Sequence, residues 1–135
     1  YIQQVKKNAS ILGEVLMSNG IDIVTGGTDS HMVLVDLRSK NVTGKDAEES
    51  LERAGMTCNK NGVANDPNPP TITSGIRLGS PAATTRGFKE EEFKFIGEKI
   101  STIINNLSAS NSDISMLEKS INKEVEDLCS KYPIY

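Results

Sequence analysis

The sequence lacks tryptophan, has only 4% aromatic residues and carries a single histidine among 135 residues. Its core must therefore be built mostly from Ile, Leu, Val and Met. The formal net charge is −3, which gives no electrostatic basis for binding nucleic acid or an anionic membrane. No apolar run approaches the roughly 20 residues of a membrane-spanning helix, and no secretory signal opens the chain.

Cysteine is also scarce, and Cys58 and Cys129 lie far apart in the sequence without metal-ligand spacing. This pattern predicts two reduced, partly buried thiols in a cytoplasmic protein. Neither a second histidine nor a nearby cysteine accompanies His31, so a hydrogen-bonded structural role is favoured over a metal site. No nucleophile–base pair or carboxylate dyad is recognisable, and the sequence predicts neither a bound metal nor a catalytic residue in this chain.

The length suits one domain with one modest core. The first apolar residues recur at helical spacing, and Asn19-Gly20 is typical of a left-handed helix end. The narrow apolar stripe predicts packing along another helix, which a part of the protein beyond this chain could supply. Because the chain begins at Tyr1, inside the helical pattern, a piece of a longer protein is expected. The stripe consists of Ile2, Val5, Ala9, Leu12 and Leu16.

Two strands are predicted next, at Ile21–Val24 and Met32–Leu37. The second strand is apolar at nearly every position, which predicts a central strand covered on both faces. Thr43-Gly44-Lys45-Asp46 favours a helix cap over part of a phosphate-binding loop, because the upstream glycine spacing is wrong for the loop. The helix that follows is predicted to stop at Gly55.

The rest of the chain is predicted as strand, loop, strand and two helices. Met56–Asn59 and Ile72–Leu78 have strand patterns, and three prolines in Lys60–Thr71 favour an ordered, stiff loop. The element order predicts a small α/β domain whose short sheet is covered by helices on one side. The buried helical positions are predicted to be Phe93, Ile96, Ile100, Ile103 and Leu107, then Ile114, Leu117, Ile121, Val125 and Leu128.

Arg77 is the strongest candidate for a binding residue, since its strand, from Thr73 to Gly79, is otherwise small or apolar. Its planar guanidinium suits a carboxylate held by two parallel hydrogen bonds, and Gly75 and Gly79 would let a small ligand approach. Spacing alone favours an internal pair with Asp or Glu, or an exposed arginine on an edge strand. Thr25-Gly26-Gly27-Thr28 is more typical of a plain turn than of a phosphate site.

Three longer segments carry a family signal: Val24–Arg38, Asn59–Pro67 and Thr73–Phe88, with Gly44–Ala47 in addition. In order and spacing they resemble the C-terminal third of the serine hydroxymethyltransferase family, and the resemblance covers Tyr1 to about Ile104. Two positions depart from the family pattern. Ser30 stands where Asn is usual, and Pro69-Pro70-Thr71 stands where Ser-Pro-Phe is usual.

The resemblance implies the small domain of an aspartate-aminotransferase-like (fold-type I) enzyme that uses pyridoxal phosphate. Such an enzyme interconverts serine and glycine and transfers the hydroxymethyl group to tetrahydrofolate. By this resemblance, Arg77 binds the carboxylate of serine or glycine and Asn61 hydrogen-bonds the pterin of the folate. Pro69, Pro70 and Thr71 would form the edge of the folate pocket, without the family's aromatic ring there.

The family's cofactor lysine, the aspartate that pairs with the pyridine nitrogen and the catalytic glutamate match nothing in this sequence. The resemblance therefore implies that residues 1–135 are the C-terminal domain, without the large domain that binds pyridoxal phosphate. The family enzyme is a homodimer, whereas this fragment alone is expected to be inactive and to bind no cofactor. Two other functions stay open: a stand-alone amino-acid-binding module and a structural or interaction domain.

Overall fold

The computed structural model describes residues 2–24, 32–79, 87–109 and 113–132. The predicted turn at 25–31, which includes His31, and the segment 80–86 lie outside these residues. In the described part, four helices and four strands follow the predicted order. The helices are α1 Ile2–Ser18, α2 Gly44–Arg53, α3 Glu90–Ala109 and α4 Ser115–Ser130; the strands are β1 Asp22–Ile23, β2 Met32–Asp36, β3 Asn59–Asn61 and β4 Gly75–Gly79, with a 3-10 turn at Arg38–Lys40.

The first helix packs along α3, so the chain itself supplies the helical partner that the narrow stripe predicted. The predicted stripe is buried from Val5 to Leu16, and α3 is the element with which α1 makes its most extensive contact. The close approach depends on Gly97, since a Cβ at that position would lie 2.9 Å from Cγ1 of Val15. The helix ends at the predicted cap, where Gly20 has a φ of +82°.

The four strands form one antiparallel sheet in the order β1-β2-β4-β3, so β4 lies between β2 and β3. Side chains alternate across a strand, and Val33, Val35, Ile76 and Leu78 all point into the core shared with the helices. The opposite side chains of β2 are only half-buried. The prediction that β2 is covered on both faces is therefore wrong, because the described helices pack on one face of the sheet.

The second helix begins with the predicted cap, in which Thr43 Oγ1 accepts a hydrogen bond of 3.1 Å from the Asp46 amide. The helix is followed by Gly55 at a φ of +86°. The strand predicted at Met56–Asn59 is displaced, since β3 spans the polar residues Asn59–Asn61. The edge strand β3 is held by backbone hydrogen bonds to β4 and needs no apolar side chains of its own. Met56 lies before β3 and buries its side chain in the core beside the sheet.

The fourth helix is fixed to α2 by a buried acid that the apolar pattern did not predict. Glu118 is 3% exposed, accepts a hydrogen bond of 2.8 Å from Nε of Arg53, and accepts a second bond from Oγ of Ser50. Of the positions predicted to be buried in α4, Ile121 and Val125 are buried, Leu117 and Leu128 are partly buried against the core, and Ile114 is half-buried just before the helix. One carboxylate therefore joins two helices that are distant in the sequence.

The described residues contain neither a membrane-spanning helix nor a metal-ion cluster. In residues 2–24, 32–79, 87–109 and 113–132, no helix is both long and apolar enough to cross a membrane. In the same ranges, His, Cys, Asp and Glu side chains form no group suited to holding a metal ion. Cys58 is buried and Cys129 half-buried, and neither thiol is in a disulfide, which confirms the prediction of two reduced thiols.

Candidate functional site

Arg77 lies on an interior strand and not on an edge strand, because β4 pairs with both β2 and β3. Its neighbours Ile76 and Leu78 are buried in the core, whereas Arg77 is exposed on the other face. Among the residues that the structure describes, none forms a hydrogen bond or ion pair with its guanidinium. An internal pair with Asp or Glu, which spacing alone favoured, is therefore absent from the described part.

The face that carries Arg77, which we call the open face, also carries Leu34, Asn59 and Asn61. Leu34 and Asn59 stand directly opposite Arg77 in the two ladders, where facing Cβ atoms are about 5 Å apart. Asn61 is opposite Gly75, two residue pairs further along the ladder. The structure thus brings the predicted carboxylate-binding residue and the predicted folate-binding residue onto one surface.

Asn59 is a neighbour of Arg77 that the sequence reasoning did not single out. Side chains alternate between the two faces of a strand, so β3 places Asn59 and Asn61 on one side and Lys60 on the other. This alternation is the sequence signal that could have identified Asn59. It was missed because the strand was predicted three residues too early. Lys60 lies opposite Ile76, and its Nζ is 3.5 Å from Glu48.

The glycines beside Arg77 were predicted to make room for a ligand, and the structure gives Gly75 a different role. A Cβ at Gly75 would lie 2.7 Å from the Val35 carbonyl oxygen and 2.8 Å from that of Asn61. Real Cβ atoms do not approach backbone oxygens so closely. Gly75 is therefore required by the close approach of the strands on both sides of β4.

One acid on the open face, Asp36, is already paired. Asp36 receives Nη2 of Arg38 at 2.7 Å and Nε of Arg38 at 3.1 Å. The hydrogen bonds from Arg38 lower the pKa of the Asp36 carboxyl, so it is ionised and held at neutral pH. Because Asp36 is paired with Arg38, it does not neutralise the Arg77 guanidinium, which stays available to an external anion.

The loop before β4 is ordered around Asp66. Its carboxylate accepts hydrogen bonds from the amides of Asn68 and Ser74, each at 2.8 Å, from Ser74 Oγ at 2.7 Å and from the Val63 amide at 3.2 Å. Ser74 is 2% exposed and directly precedes β4. Asp66 thus fixes the start of the strand that carries Arg77, and the predicted stiffness comes from this carboxylate as well as from the prolines.

Pro69, Pro70 and Thr71 lie in an exposed turn. The residues that follow the turn, Ile72 and Thr73, accept hydrogen bonds from the first amides of α2. The Pro69 carbonyl accepts the amides of Ile72 and Thr73, each at 2.9 Å. Within the described ranges, no hydrogen bond joins this turn to Asn61 or Arg77. Their predicted part in a folate pocket stays a prediction.

Comparison with known proteins identifies the family. The protein-family model for serine hydroxymethyltransferase matches residues 1–100, a range that contains the whole sheet and the Asp66 loop. The chain belongs to the serine hydroxymethyltransferase family. The resemblance inferred from three segments is confirmed, as is the predicted fold class of a small α/β domain of this family.

Three relatives, each a serine hydroxymethyltransferase, match this chain along its full length. The proteins from Paramagnetospirillum magneticum and Rhodospirillum centenum are 58% and 55% identical over 135 residues. The protein from Acidiphilium cryptum is 54% identical over 136 residues. In each case the match covers 100% of this chain and 32% of the relative. The chain thus spans about a third of the length of these curated relatives.

The family match also includes Asp66, in the loop before β4, whose carboxyl is strongly affected by its surroundings. Partial burial acts to raise the pKa of its carboxyl, but the hydrogen bonds from Ser74, Asn68 and Val63 outweigh this effect and lower the pKa to about 2. A carboxyl with a lowered pKa stabilises the fold above its unfolded-state pKa, about 3.9. That contribution is lost as the pH falls from about 4 to about 2.

We expect Asp66→Asn to remove this part of the pH dependence and to loosen the loop. The free energy of unfolding, measured by urea titration between pH 2 and pH 5, should change less with pH in the variant than in the wild type. Hydrogen exchange at the amides of Val63 and Ser74 should accelerate. Asp127→Asn, an exposed acid on α4, is the control; equal pH profiles for wild type and Asp66→Asn would contradict the assignment.

Proposed function

We propose that residues 1–135 are the small, substrate-binding domain of a serine hydroxymethyltransferase that interconverts serine and glycine, with tetrahydrofolate as the one-carbon acceptor. In this proposal Arg77 holds the carboxylate of the amino acid. The observation that carries it is an exposed guanidinium on the open face, with no ionic partner among the described residues. The family match supports it independently.

The chemistry of Arg77 suits a small carboxylate. A guanidinium offers parallel N–H groups that bind both oxygens of one carboxylate. Because β4 is paired on both sides, the backbone beneath Arg77 is fixed, and a rigid strand positions a binding group more accurately than a loop does. Arg77 thereby fixes the carboxylate and orients the bond to be broken.

The lysine of β3 is not placed to anchor pyridoxal phosphate beside Arg77. When bound in the whole enzyme, that cofactor supplies an electron sink for bond cleavage. Lys60 follows Asn59, the residue opposite Arg77. Its side chain lies on the helix-covered face of the sheet and pairs with Glu48. We therefore assign the cofactor site to a large N-terminal domain in the remaining two thirds of a homodimeric enzyme, and we expect the 135-residue chain alone to be inactive.

The folate side of the proposal rests on the position of Asn61. It shares the open face with Arg77, so one surface would meet both substrates. The Asn61 amide nitrogen donates to the Gly62 carbonyl at 2.9 Å, which leaves its carbonyl oxygen to accept a hydrogen bond from a pterin ring. Pro69, Pro70 and Thr71 complete the proposed folate contacts.

The first test uses the chain alone. With pyridoxal phosphate, glycine and folate added, we expect no glycine-dependent absorbance band and no serine cleavage. Titration calorimetry of glycine against the chain and its Arg77→Ala variant is the companion measurement. Strong glycine binding that depends on Arg77, without any cofactor, would favour a stand-alone amino-acid-binding module instead.

The second test places this chain in a whole enzyme. We expect a chimera in which it replaces the matching third of the Paramagnetospirillum magneticum relative to interconvert serine and glycine. Arg77→Ala in that chimera should lower kcat/KM by roughly 10²-fold, because a paired carboxylate loses its partner. Arg77→Lys keeps the charge but not the planar fork, so a loss of about tenfold is expected.

Lys119→Ala is the matched control, because Lys119 is an exposed cation on α4 and its removal changes the net charge equally. Its kcat/KM should stay within about twofold of the parent chimera. An Arg77→Ala chimera that retains full kcat/KM would refute the assignment of Arg77, whatever the activity of the chain alone.

A further inference from the structure

An apolar cavity of about 300 Å³ lies on the covered side of the sheet. Its wall combines all four helices, the end of β4 and the segment between α2 and β3. Residues from these different elements include Leu12, Leu51, Leu78, Phe93 and Val125. Leu78 and Arg77 are consecutive on β4 and point to opposite faces, so the cavity is separate from the open face.

The described wall carries no charged side chain, and the Thr57 hydroxyl is its one polar side-chain group apart from thiols. Two cysteines line it, Cys58 and Cys129. Burial, together with the nearby Glu48 and Glu52, raises the pKa of the Cys58 thiol to about 12, so this thiol is protonated at neutral pH. A buried water needs about two to four polar partners, and the described side chains of this wall offer few.

We propose that this cavity is a binding site for a small neutral apolar molecule. An apolar cavity of about 150 Å³ is known to admit benzene, and this cavity has twice that volume. A ligand charge is excluded, because the described wall offers no ion-pairing partner and burying an unpaired charge costs several kcal/mol. The proposal does not depend on the function proposed for Arg77.

The two cysteines provide a built-in measure of occupancy. Toluene is the probe, and benzoate, which has a carboxylate in place of the methyl group, is the matched control ligand. We expect saturating toluene to slow the reaction of both thiols with the neutral disulfide 4,4′-dithiodipyridine by roughly fivefold or more and to raise the melting temperature. Benzoate should do neither, and Arg77→Ala should respond to toluene as the wild type does.

A variant that fills the cavity tests the location. Ile96 lines the wall, and Ile96→Trp should abolish the toluene effect; Ile96→Phe is the smaller substitute if the tryptophan prevents folding. Met116→Trp, at a position of α4 that is 83% exposed, should leave the toluene effect intact. Unchanged thiol rates with toluene, equal protection by benzoate, or a toluene effect that persists in a folded Ile96 variant would each overturn the proposal.

Discussion

Gly44→Ala is expected to lower the free energy of unfolding by about 4 kcal/mol, a large part of the stability of a domain of this size. Gly44 is the first residue of α2 and is buried. A Cβ there would overlap Oγ1 of Thr73 and the carbonyl oxygen of Gly75. The Gly44 amide also donates to the Thr73 carbonyl at 3.0 Å, so the helix cannot withdraw without breaking that bond. Urea unfolding measures the loss.

The chain provides a matched control in the neighbouring loop. A Cβ at Gly62 would meet only Asp66 Oδ2, at 3.9 Å, so Gly62→Ala should change the free energy of unfolding by less than about 0.5 kcal/mol. Thr73→Gly should relieve part of the Gly44→Ala defect, because it removes the overlapping hydroxyl from a residue that has a φ of +58°. Equal stability of the two glycine variants would contradict the close packing described for α2.

The second large effect is expected for Glu118→Ala, with a loss of about 3 kcal/mol. The substitution removes the three hydrogen bonds that Glu118 accepts from Ser50 and Arg53 of α2, and it leaves the buried Ser50 without the acceptor it has in the wild type. The Arg53 side chain is 57% exposed, so water can replace Glu118 as its hydrogen-bond partner. The loss of stability therefore arises mainly at the buried hydroxyl of Ser50. Thermal and urea unfolding of the variant measure the loss.

The pH dependence of this pair has a definite sign. Burial acts to raise the pKa of Glu118, but hydrogen bonds from Arg53 and Ser50 outweigh it, and the pKa is lowered. The pair therefore stabilises the fold fully above the unfolded-state pKa of about 4.3, and this contribution is lost as the pH falls through the lower folded-state pKa. Glu126→Ala, at an exposed acid of α4, should leave stability and its pH profile unchanged. A similar loss in both variants would contradict the role of Glu118 in joining α2 and α4.

The helices could be predicted from the sequence because each carries one clear apolar stripe and clear end signals. Gly20 and Gly55 end their helices with the positive φ that glycine favours. Buried acids are different, since a side chain such as Glu118 looks like any solvent-facing residue until its partners on another helix are known. Sequence periodicity therefore locates a helix but does not show which polar residue it buries.

The strands were predicted less accurately because the segments beside them also contain buried apolar residues. Met56 and Cys58 are buried without belonging to β3, and the strand itself is polar. Arg77 could be predicted as a binding residue because a charge among small apolar residues is conspicuous. The role of Asp66 could not, since it depends on four hydrogen bonds within a loop of irregular backbone.

The strand order also sets a condition on folding. β4 is the last strand in the chain, yet it is the one that joins β2 to β3. On the ribosome, β2 and β3 would emerge earlier and have no direct pairing to each other, so the sheet cannot be completed until residue 79 has left the exit tunnel. Pairing at such sequence separation slows folding. Closure of the described sheet thus waits for the emergence of β4, and the strand that carries Arg77 is the one that closes it.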